Sequence, residues 1–230
     1  MGAPVELLRK VSMLSGLGEA ELSAIASIAQ RKRCAAREMV VQQADPGGEL
    51  FVIVSGHLKA VSAGADGRDN ALSIMGPGEV FGEVSLLDGG PRSATITTLD
   101  RCELLIIRRD PFLKFLEGSP RTSIELLKVL TTRLRKLTGR SEDIAFLRVG
   151  GRLAKRIAEL AEAYGVKQPD GSYHLPFKLS QQEIGDLVNA TRESANKQIK
   201  QWEDEGLVSQ DSGHLIVRDI QRLRAQGGEI

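Results

Sequence analysis

The sequence is poor in aromatic residues and in cysteine, and it has no long hydrophobic run. Phe, Trp and Tyr make up 4% of its 230 residues, and there is one Trp. Single-stranded nucleic acids stack on aromatic platforms, so this class of binding is disfavoured. Cys34 and Cys102 lie in separate segments without metal or redox spacing; we expect buried thiols, and nothing requires a disulfide. No apolar run is long enough to span a membrane and the N-terminus lacks the pattern of a signal peptide, so we predict a cytoplasmic protein with no membrane partner.

The charge balance and the few histidines exclude further classes. The formal net charge is +1, so any contact with DNA must be local rather than a general basic coat. The histidines are His57, His174 and His214, and none has a nucleophile or a metal-ligand spacing nearby. We therefore predict no enzymatic activity, no catalytic residues and no bound metal.

Strand-like segments dominate the first half of the chain. Between Met39 and Arg108, short β-branched runs are separated by glycine-containing turns such as Asp45–Gly48. Many short antiparallel strands at this spacing indicate a double-sheet jelly roll. Helical patterns precede and follow this region without the βαβ rhythm of a parallel sheet. The predicted fold class is therefore α+β.

A long helix is predicted from about Arg121 to Leu147. One apolar or small-residue stripe along it has the 3–4 spacing of a two-helix coiled coil: Ile124, Leu127, Thr131, Leu134, Thr138, Ser141 and Ala145. A second stripe could cover the sheet domain: Leu126, Leu130 and Leu137. The two stripes favour a parallel homodimer over a single amphipathic helix packed on its own domain. The paired glycines of 146–151 then suggest a hinge.

The C-terminal part predicts a winged helix-turn-helix. Ser180, with Glu183 three residues later, forms a capping-box pattern at the start of one helix, and Thr191 caps the next. A hairpin with its tip at 211–214 follows the second helix. Residues 177–230 contain seven Lys/Arg and nine Asp/Glu, so a DNA-binding module and a protein-interaction module both remain open.

The stretch 82–94 carries the strongest indication of a ligand. Its glycines allow the backbone to approach a ligand and to turn N–H groups toward an anion. Arg92 and Ser93 are donors suited to a phosphate, whereas an ionised Glu83 accepts hydrogen bonds and suits a sugar hydroxyl. This order indicates a pocket for a ribose joined to one phosphate. The alternative is a surface hairpin in which Glu83 and Arg92 form an ion pair.

The pattern Phe-Gly-Glu-x-Ser-Leu-Leu followed by Pro-Arg-Ser-Ala resembles the phosphate-binding cassette of cyclic-nucleotide-binding domains. With the long helix, Gln182–Gly185 and Thr191–Ser194, the chain resembles the cyclic-AMP receptor protein branch of the CRP/FNR regulators over about 14–217. The resemblance implies a cyclic-nucleotide-binding jelly-roll domain over 1–120, a dimerisation helix over 121–147 and a winged helix-turn-helix over 148–230. It further implies a homodimer that binds cyclic AMP, recognises a palindromic site on double-stranded DNA and has RNA polymerase as a partner.

The resemblance also implies individual site residues. Those of the cyclic-nucleotide site are Gly82, Glu83, Val84, Ser85, Arg92, Ser93, Arg133, Leu137 and Thr138. Those of the DNA-binding surface are Ser180, Gln181, Gln182, Thr191, Arg192, Glu193, Asn196, Lys197 and Lys200. Within the second set, Arg192, Glu193 and Lys197 match the base-reading positions.

Three positions depart from the family pattern. Leu137 stands where a threonine often contacts adenine, which leaves open cyclic GMP, a cyclic dinucleotide or no effector at all. Lys197 replaces an arginine and gives up bidentate recognition of guanine. Arg148 stands where an acid often caps the helix after the hinge.

Haem would need axial ligands that His57 alone does not supply, so no haem is expected. A nucleotide-gated regulatory subunit that binds protein through its winged helix is the remaining alternative.

Overall fold

The computed structural model describes residues 5–9, 11–14, 16–63 and 69–228 of the chain. The chain divides into two compact units. Among the described residues, those of 5–63 and 75–136 form the first unit, and those of 69–74 and 137–228 form the second.

The first unit is built from short strands enclosed by helices. Its elements up to the fourth strand are α1 Val5–Leu8, a 3₁₀ turn at Ser12–Leu14, α2 Glu19–Ile28, β1 Ala29–Cys34, β2 Met39–Val41, β3 Glu49–Ser55 and β4 Leu58–Ala63. They are followed by β6 Val80–Phe81, α3 Glu83–Asp88, β7 Thr95–Thr98, β8 Cys102–Arg108 and α4 Arg109–Gly118. Two further elements are divided between the units: β5 Asp69–Met75 belongs to the second unit up to residue 74, and α5 Pro120–Phe146 belongs to it from residue 137. The strands form two four-stranded sheets, ordered β1-β8-β3-β6 and β2-β7-β4-β5, and the pairings described are antiparallel. The predicted double-sheet jelly roll is confirmed.

Buried apolar residues of the strands and helices supply the core of this unit. In β8, Leu104, Leu105 and Ile107 are fully buried, and Leu105 and Ile107 pack in one cluster with Leu50 of β3 and Phe112 of α4. Because such burial removes apolar surface from water, this cluster is the main stabilising contribution to the unit. It provides a rigid base for the loops and the short helix α3 that lie at its edge.

The helix α5 confirms the predicted long helix to within one residue at each end. Leu126 is buried in the core of the first unit. Leu127 and Leu134, on the predicted coiled-coil stripe, are 60% and 63% exposed. Leu137, which shares the second predicted stripe with Leu126, is 47% exposed.

The second unit contains the C-terminal helices and a small sheet. Its elements after α5 are α6 Val149–Tyr164, β9 Val166–Lys167, β10 Tyr173–Lys178, α7 Gln181–Asp186, α8 Arg192–Asp204, β11 Val208–Asp211, β12 His214–Val217 and α9 Ile220–Gln226. The sheet has the order β11-β12-β10-β9. Trp202, Ile199 and Ala195 of α8 are buried, and this confirms the predicted inner face of the helix.

The connection between α5 and α6 is shorter than the glycines suggested. Gly150 and Gly151 lie in the first turn of α6, so the helical path is broken only at 147–148. Arg148 is the N-cap, in extended conformation and without a capping hydrogen bond from its side chain. Both glycines adopt helical backbone, and the hinge at 146–151 stays a prediction. Among the described residues, no helix is both long and apolar enough to cross a bilayer.

Candidate functional site

The predicted ligand cassette begins with a short helix that the sequence patterns did not indicate. Gly82 has a φ of +82° and is the N-cap of α3, and Gly89 ends the helix with a φ of +73°. A Cβ atom at position 82 would lie 2.6 Å from Nη1 of Arg92 and 2.6 Å from the carbonyl oxygen of Glu49. Position 82 therefore requires glycine for its backbone conformation and for the space that the arginine occupies.

Arg92 is held inside the cassette by donors directed at backbone and side-chain oxygens. Its side chain is 5% exposed, and Nη1 donates to the carbonyl oxygen of Glu49 at 2.8 Å and to Oγ of Ser85 at 3.1 Å. The guanidinium carbon lies 5.4 Å from the ring centroid of Phe51, a cation–π distance. Burial lowers the pKa of Arg92, and the nearby carboxylates of Glu49, Asp45 and Glu83 oppose that shift. An arginine retains its charge under these conditions, so the cassette contains a fixed, desolvated cation.

Glu83 is the most deeply buried acid of the cassette, at 2% exposure. Its Oε1 accepts a hydrogen bond from Nη1 of Arg133 on α5, and Nη2 of the same arginine donates to the carbonyl oxygen of Val80. Its Oε2 is buried without a hydrogen-bond partner among the described residues. A buried carboxylate oxygen without a partner is costly, and a hydroxyl donor from a ligand would satisfy it.

The remaining predicted cassette residues occupy different environments. Val84 is 41% exposed and Ser93 is exposed, whereas Ser85 is buried and its hydroxyl donates to the carbonyl oxygen of Gly82 at 3.3 Å. Leu137 and Thr138 follow on α5 and are both exposed. They fall in the second unit.

Sequence reasoning missed the partners that hold the cassette from outside it. Glu49 and Phe51 are on β3, and Phe51 stacks on Phe81 with ring centroids 4.7 Å apart. A Cβ atom on Gly47 would lie 2.3 Å from the Cβ and Oγ of Ser85, so this turn packs directly against α3. The available signal was the turn Asp45–Gly48 immediately before an apolar strand, but sequence spacing does not reveal which strand faces the cassette.

The cassette has the donor and acceptor set that a ribose phosphate requires. Arg92 supplies a desolvated guanidinium for an anion, and Oε2 of Glu83 supplies an acceptor for a hydroxyl. Gly82 and Gly89, both in left-handed conformation, allow the backbone to turn sharply at the start and the end of α3. The residues present therefore fit a nucleotide with one phosphate. The alternative of a solvated Glu83–Arg92 surface pair is wrong, because both side chains are buried and the ion pair of Glu83 is with Arg133.

The second candidate site is the pair of helices α7 and α8. The predicted capping box is confirmed: the N–H of Glu183 donates to Oγ of Ser180 at 3.2 Å, and the N–H of Ser180 donates to Oε2 of Glu183 at 2.8 Å. Thr191 caps α8 by accepting from the N–H of Ser194 at 3.2 Å. The turn contains Asn189 at a φ of +51°. Local hydrogen bonds thus fix where each helix of the pair begins.

Most of the predicted DNA-binding side chains are solvent-accessible. The exposed ones are Ser180, Gln182, Thr191, Arg192, Glu193, Asn196, Lys197 and Lys200. Gln181 is half-buried, and its Oε1 has no hydrogen-bond partner among the described residues. Gln182 donates to Asp186 at 2.7 Å. Arginine and lysine on the open face of α8 can donate to guanine and to phosphates, and glutamate can accept from cytosine.

The two thiols are buried, as predicted. Cys34 and Cys102 are opposite each other in the β1–β8 register, at 5% and 4% exposure. Burial, with the adjacent Asp100, raises the pKa of Cys102 to about 12. Thiols in this state are unreactive. Within the described part of the chain, no group of three or more His, Cys, Asp and Glu side chains could hold a metal ion.

Two family models match separate parts of the chain. The cyclic nucleotide-binding domain matches residues 31–119, which contain the cassette. The Crp-like helix-turn-helix domain matches residues 151–226, which contain α7 and α8.

The chain is similar along almost its whole length to known regulators. It is 32% identical over 218 residues to the CRP-like cAMP-activated global transcriptional regulator of Mycobacterium tuberculosis (strain CDC 1551 / Oshkosh), covering 95% of this chain and 97% of that protein. It is 28% identical over 186 residues to the cAMP-activated global transcriptional regulator CRP of Haemophilus influenzae, covering 79% and 81%.

Solved structures of regulators share the fold. The c-di-GMP responsive global regulator CLP of Xanthomonas campestris superposes with a TM-score of 0.75 at 25% identity, covering 88% of this chain and 100% of that one. The Thermus thermophilus catabolite activator protein superposes with a TM-score of 0.54 at 26% identity, covering 94% and 98%.

Proposed function

The chain belongs to the CRP/FNR family of transcription regulators, and from this premise we propose that it is a homodimer that binds cyclic AMP and then recognises a palindromic DNA site. The observation that carries the proposal is the buried pair of Arg92, a desolvated cation, and Glu83, whose Oε2 has no partner among the described residues. These groups match the phosphate and a ribose hydroxyl of one cyclic mononucleotide. The relatives named as cAMP-activated support the same effector.

In the pocket, each chain residue has a separate role. Arg92 and Ser93 hold the phosphate, and the backbone of Gly82 to Ser85 surrounds it. Glu83 accepts from the ribose, and Arg133 on α5 donates to the Glu83 carboxylate and orients it. The family resemblance assigns the base to the positions of Leu137 and Thr138. A ligand can shift the protein toward its DNA-binding state only through unequal affinity for the two states, and the 146–151 segment is the proposed place of that change.

The dimer is proposed from the exposed stripe on α5. Ile124, Leu127 and Leu134 are 54%, 60% and 63% exposed, which is unfavourable for leucine and isoleucine at regular helical spacing. A second copy of α5 would cover them. In such a dimer the two α8 helices would read major grooves about 34–36 Å apart, one helical turn of DNA.

Titration calorimetry with cyclic AMP is the first test, with cyclic GMP and cyclic di-GMP in parallel. We expect cyclic AMP to bind in the micromolar range and Arg92→Leu to lose this binding. Arg101→Leu is the matched control, because Arg101 is an exposed arginine of the same domain. If only cyclic di-GMP binds, it takes the place of cyclic AMP as the proposed effector. If no nucleotide binds to the folded protein, the proposal of a cyclic-nucleotide effector is wrong.

DNA recognition is tested by selecting duplexes from a random pool and measuring fluorescence anisotropy with and without cyclic AMP. We expect palindromic sequences, tighter binding with the nucleotide, and loss of binding in Lys197→Ala. Arg222→Ala is the control, because Arg222 is an exposed cation of α9 outside the predicted surface. Failure to select any sequence would favour the alternative of a protein-binding regulatory subunit.

The proposed cellular context follows the family. We propose that the protein acts in the cytoplasm, without enzymatic activity, metal or haem, and that RNA polymerase is its partner at the promoter. The domains are proposed as 1–120, 121–147 and 148–230, with α5 as the dimerisation segment.

A further inference from the structure

Glu49 is an acid that the cassette motif does not include, yet it is bound to the phosphate-binding arginine. It is the first residue of β3, and its carbonyl oxygen accepts from Nη1 of Arg92 at 2.8 Å. Its carboxylate Oε2 lies 3.7 Å from Nη2 of the same arginine. Backbone and side chain of Glu49 thus both face Arg92.

The exposure of the two side chains is unequal. Arg92 is 5% exposed, and the Glu49 side chain is 45% exposed. The carboxylate therefore lies at the solvent side of a buried guanidinium. Nη1 donates to the oxygens of Glu49, Gly82 and Ser85, whereas Nη2 faces the Glu49 carboxylate. An anion that approaches Nη2 therefore meets this carboxylate.

Further acidic side chains lie around Arg92 and act on its charge. The carboxylates of Glu49, Asp45 and Glu83 all act electrostatically on Arg92, and Glu83 is neutralised by Arg133. An incoming phosphate would meet Arg92 with two further acids, Glu49 and Asp45, still nearby. Of these, Glu49 is within ion-pair distance of the guanidinium.

We propose that Glu49 is an internal counter-ion of Arg92 that weakens the affinity of the cassette for a phosphate-bearing ligand, and so sets the ligand concentration to which the protein responds. The inference rests on the proposed function and adds an affinity-determining residue to it. A phosphate that binds Arg92 must share or replace the contact with the Glu49 carboxylate and is repelled by that carboxylate. Because Glu49 is partly solvated, the repulsion is moderate rather than prohibitive.

The test compares Glu49→Gln with the wild-type protein by calorimetric titration of cyclic AMP. Glutamine retains the length of the side chain and the backbone carbonyl contact but removes the charge. We expect the Kd for cyclic AMP to fall roughly three- to tenfold, the range of a partly screened charge pair. Glu117→Gln makes the same charge change at an exposed position of α4 and should bind cyclic AMP as the wild type does. Glu49→Asp restores the charge and should return the Kd toward the wild-type value.

Adenosine distinguishes an electrostatic role from a structural one, because it has the base and the ribose but no phosphate. We expect its binding, weak or undetectable, to be unchanged by Glu49→Gln. Equal or weaker binding of cyclic AMP by this variant, or a gain shared by adenosine, would overturn the inference and leave the proposed function intact. If neither the wild type nor Glu49→Gln binds a cyclic nucleotide, the proposed effector and this inference both fail. If only Glu49→Gln binds cyclic AMP, the inference is supported.

Discussion

The guanidinium of Arg133 donates to the buried carboxylate of Glu83 and, through its other terminal nitrogen, to the carbonyl oxygen of Val80. This relationship joins the long helix α5 to the cassette at the acid proposed for the ribose. The Arg133 side chain is 31% exposed and that of Glu83 is 3% exposed. The acid therefore depends on one arginine for compensation of a charge that water does not reach.

We expect Arg133→Met to lower the free energy of unfolding by about 1–3 kcal/mol, since it leaves a buried carboxylate without its cation. The double variant Arg133→Met with Glu83→Gln should regain part of the lost free energy of unfolding, because glutamine removes the unpaired charge. Urea denaturation at fixed protein concentration measures both. Arg135→Met, an exposed arginine two residues further on, is the control and should be near neutral. Equal losses in the single and double variants would contradict the pairing.

Gly47 is expected to control ligand affinity without belonging to the cassette. In Gly47→Ala the new Cβ would overlap Ser85, whose hydroxyl accepts from Arg92, so Arg92 would lose that support. We expect a fall in cyclic AMP affinity of roughly tenfold, the value of one hydrogen bond to a charged group. Gly48→Ala is the matched control, because a Cβ there has no atom within 4 Å. Calorimetry that finds the two variants alike would refute the packing argument.

Two glycines of the second unit should respond in opposite ways to alanine. A Cβ at Gly185 would lie 2.8 Å from the carbonyl oxygen of Ala190 in the turn, so Gly185→Ala should destabilise by about 1–3 kcal/mol and weaken DNA binding. A Cβ at Gly150 would meet only the side-chain end of Gln198, at 2.7 Å, which can move away. Since alanine favours a helix over glycine by about 1 kcal/mol, Gly150→Ala should be neutral or stabilising. Thermal unfolding measures the change in stability of both variants, and fluorescence anisotropy measures their DNA binding.

Asp100 should make stability depend on acid pH. Burial favours the neutral acid, but hydrogen bonds from the backbone N–H and the ring of His57, both at 2.7 Å, outweigh burial and lower the pKa of Asp100. A lowered folded-state pKa adds stability above the ordinary value of about 3.9, and this is lost as the pH falls through the folded value.

The free-energy difference between the wild type and Asp100→Asn should therefore be largest near pH 6 and shrink toward pH 3 in urea denaturation series. Glu117→Gln provides the baseline for an exposed carboxyl. A difference that is constant across this range would show that the lowered pKa of Asp100 contributes nothing to stability.

The sequence predicted elements where local chemistry decides the structure. The capping box of Ser180 and Glu183, the cap at Thr191 and the long helix α5 depend on neighbours in the chain, and the structure confirms each. The jelly roll also followed from the spacing of strands and turns.

The sequence was less informative where distant segments meet. The strand β1, the helix α3 and the support of Arg92 by Glu49 and Phe51 depend on pairing across the sheets rather than on local pattern. Gly150 and Gly151 suggested a hinge by composition, and the structure includes both in the first turn of α6, which sequence composition did not indicate. Glu83 and Arg92 were predicted as site residues because a long motif contains them, whereas periodicity alone would have left them as a surface pair.

The exposed stripe of Leu127 and Leu134 on α5 has a consequence for gene dosage. In the proposed dimer, the active species forms from two copies, so at concentrations near the dimer dissociation constant its amount rises more steeply than the amount of chain. Halving expression would then remove more than half of the DNA-bound regulator at a fixed effector level. A cell could thus silence its target promoters through synthesis or turnover of this chain, without any change in nucleotide.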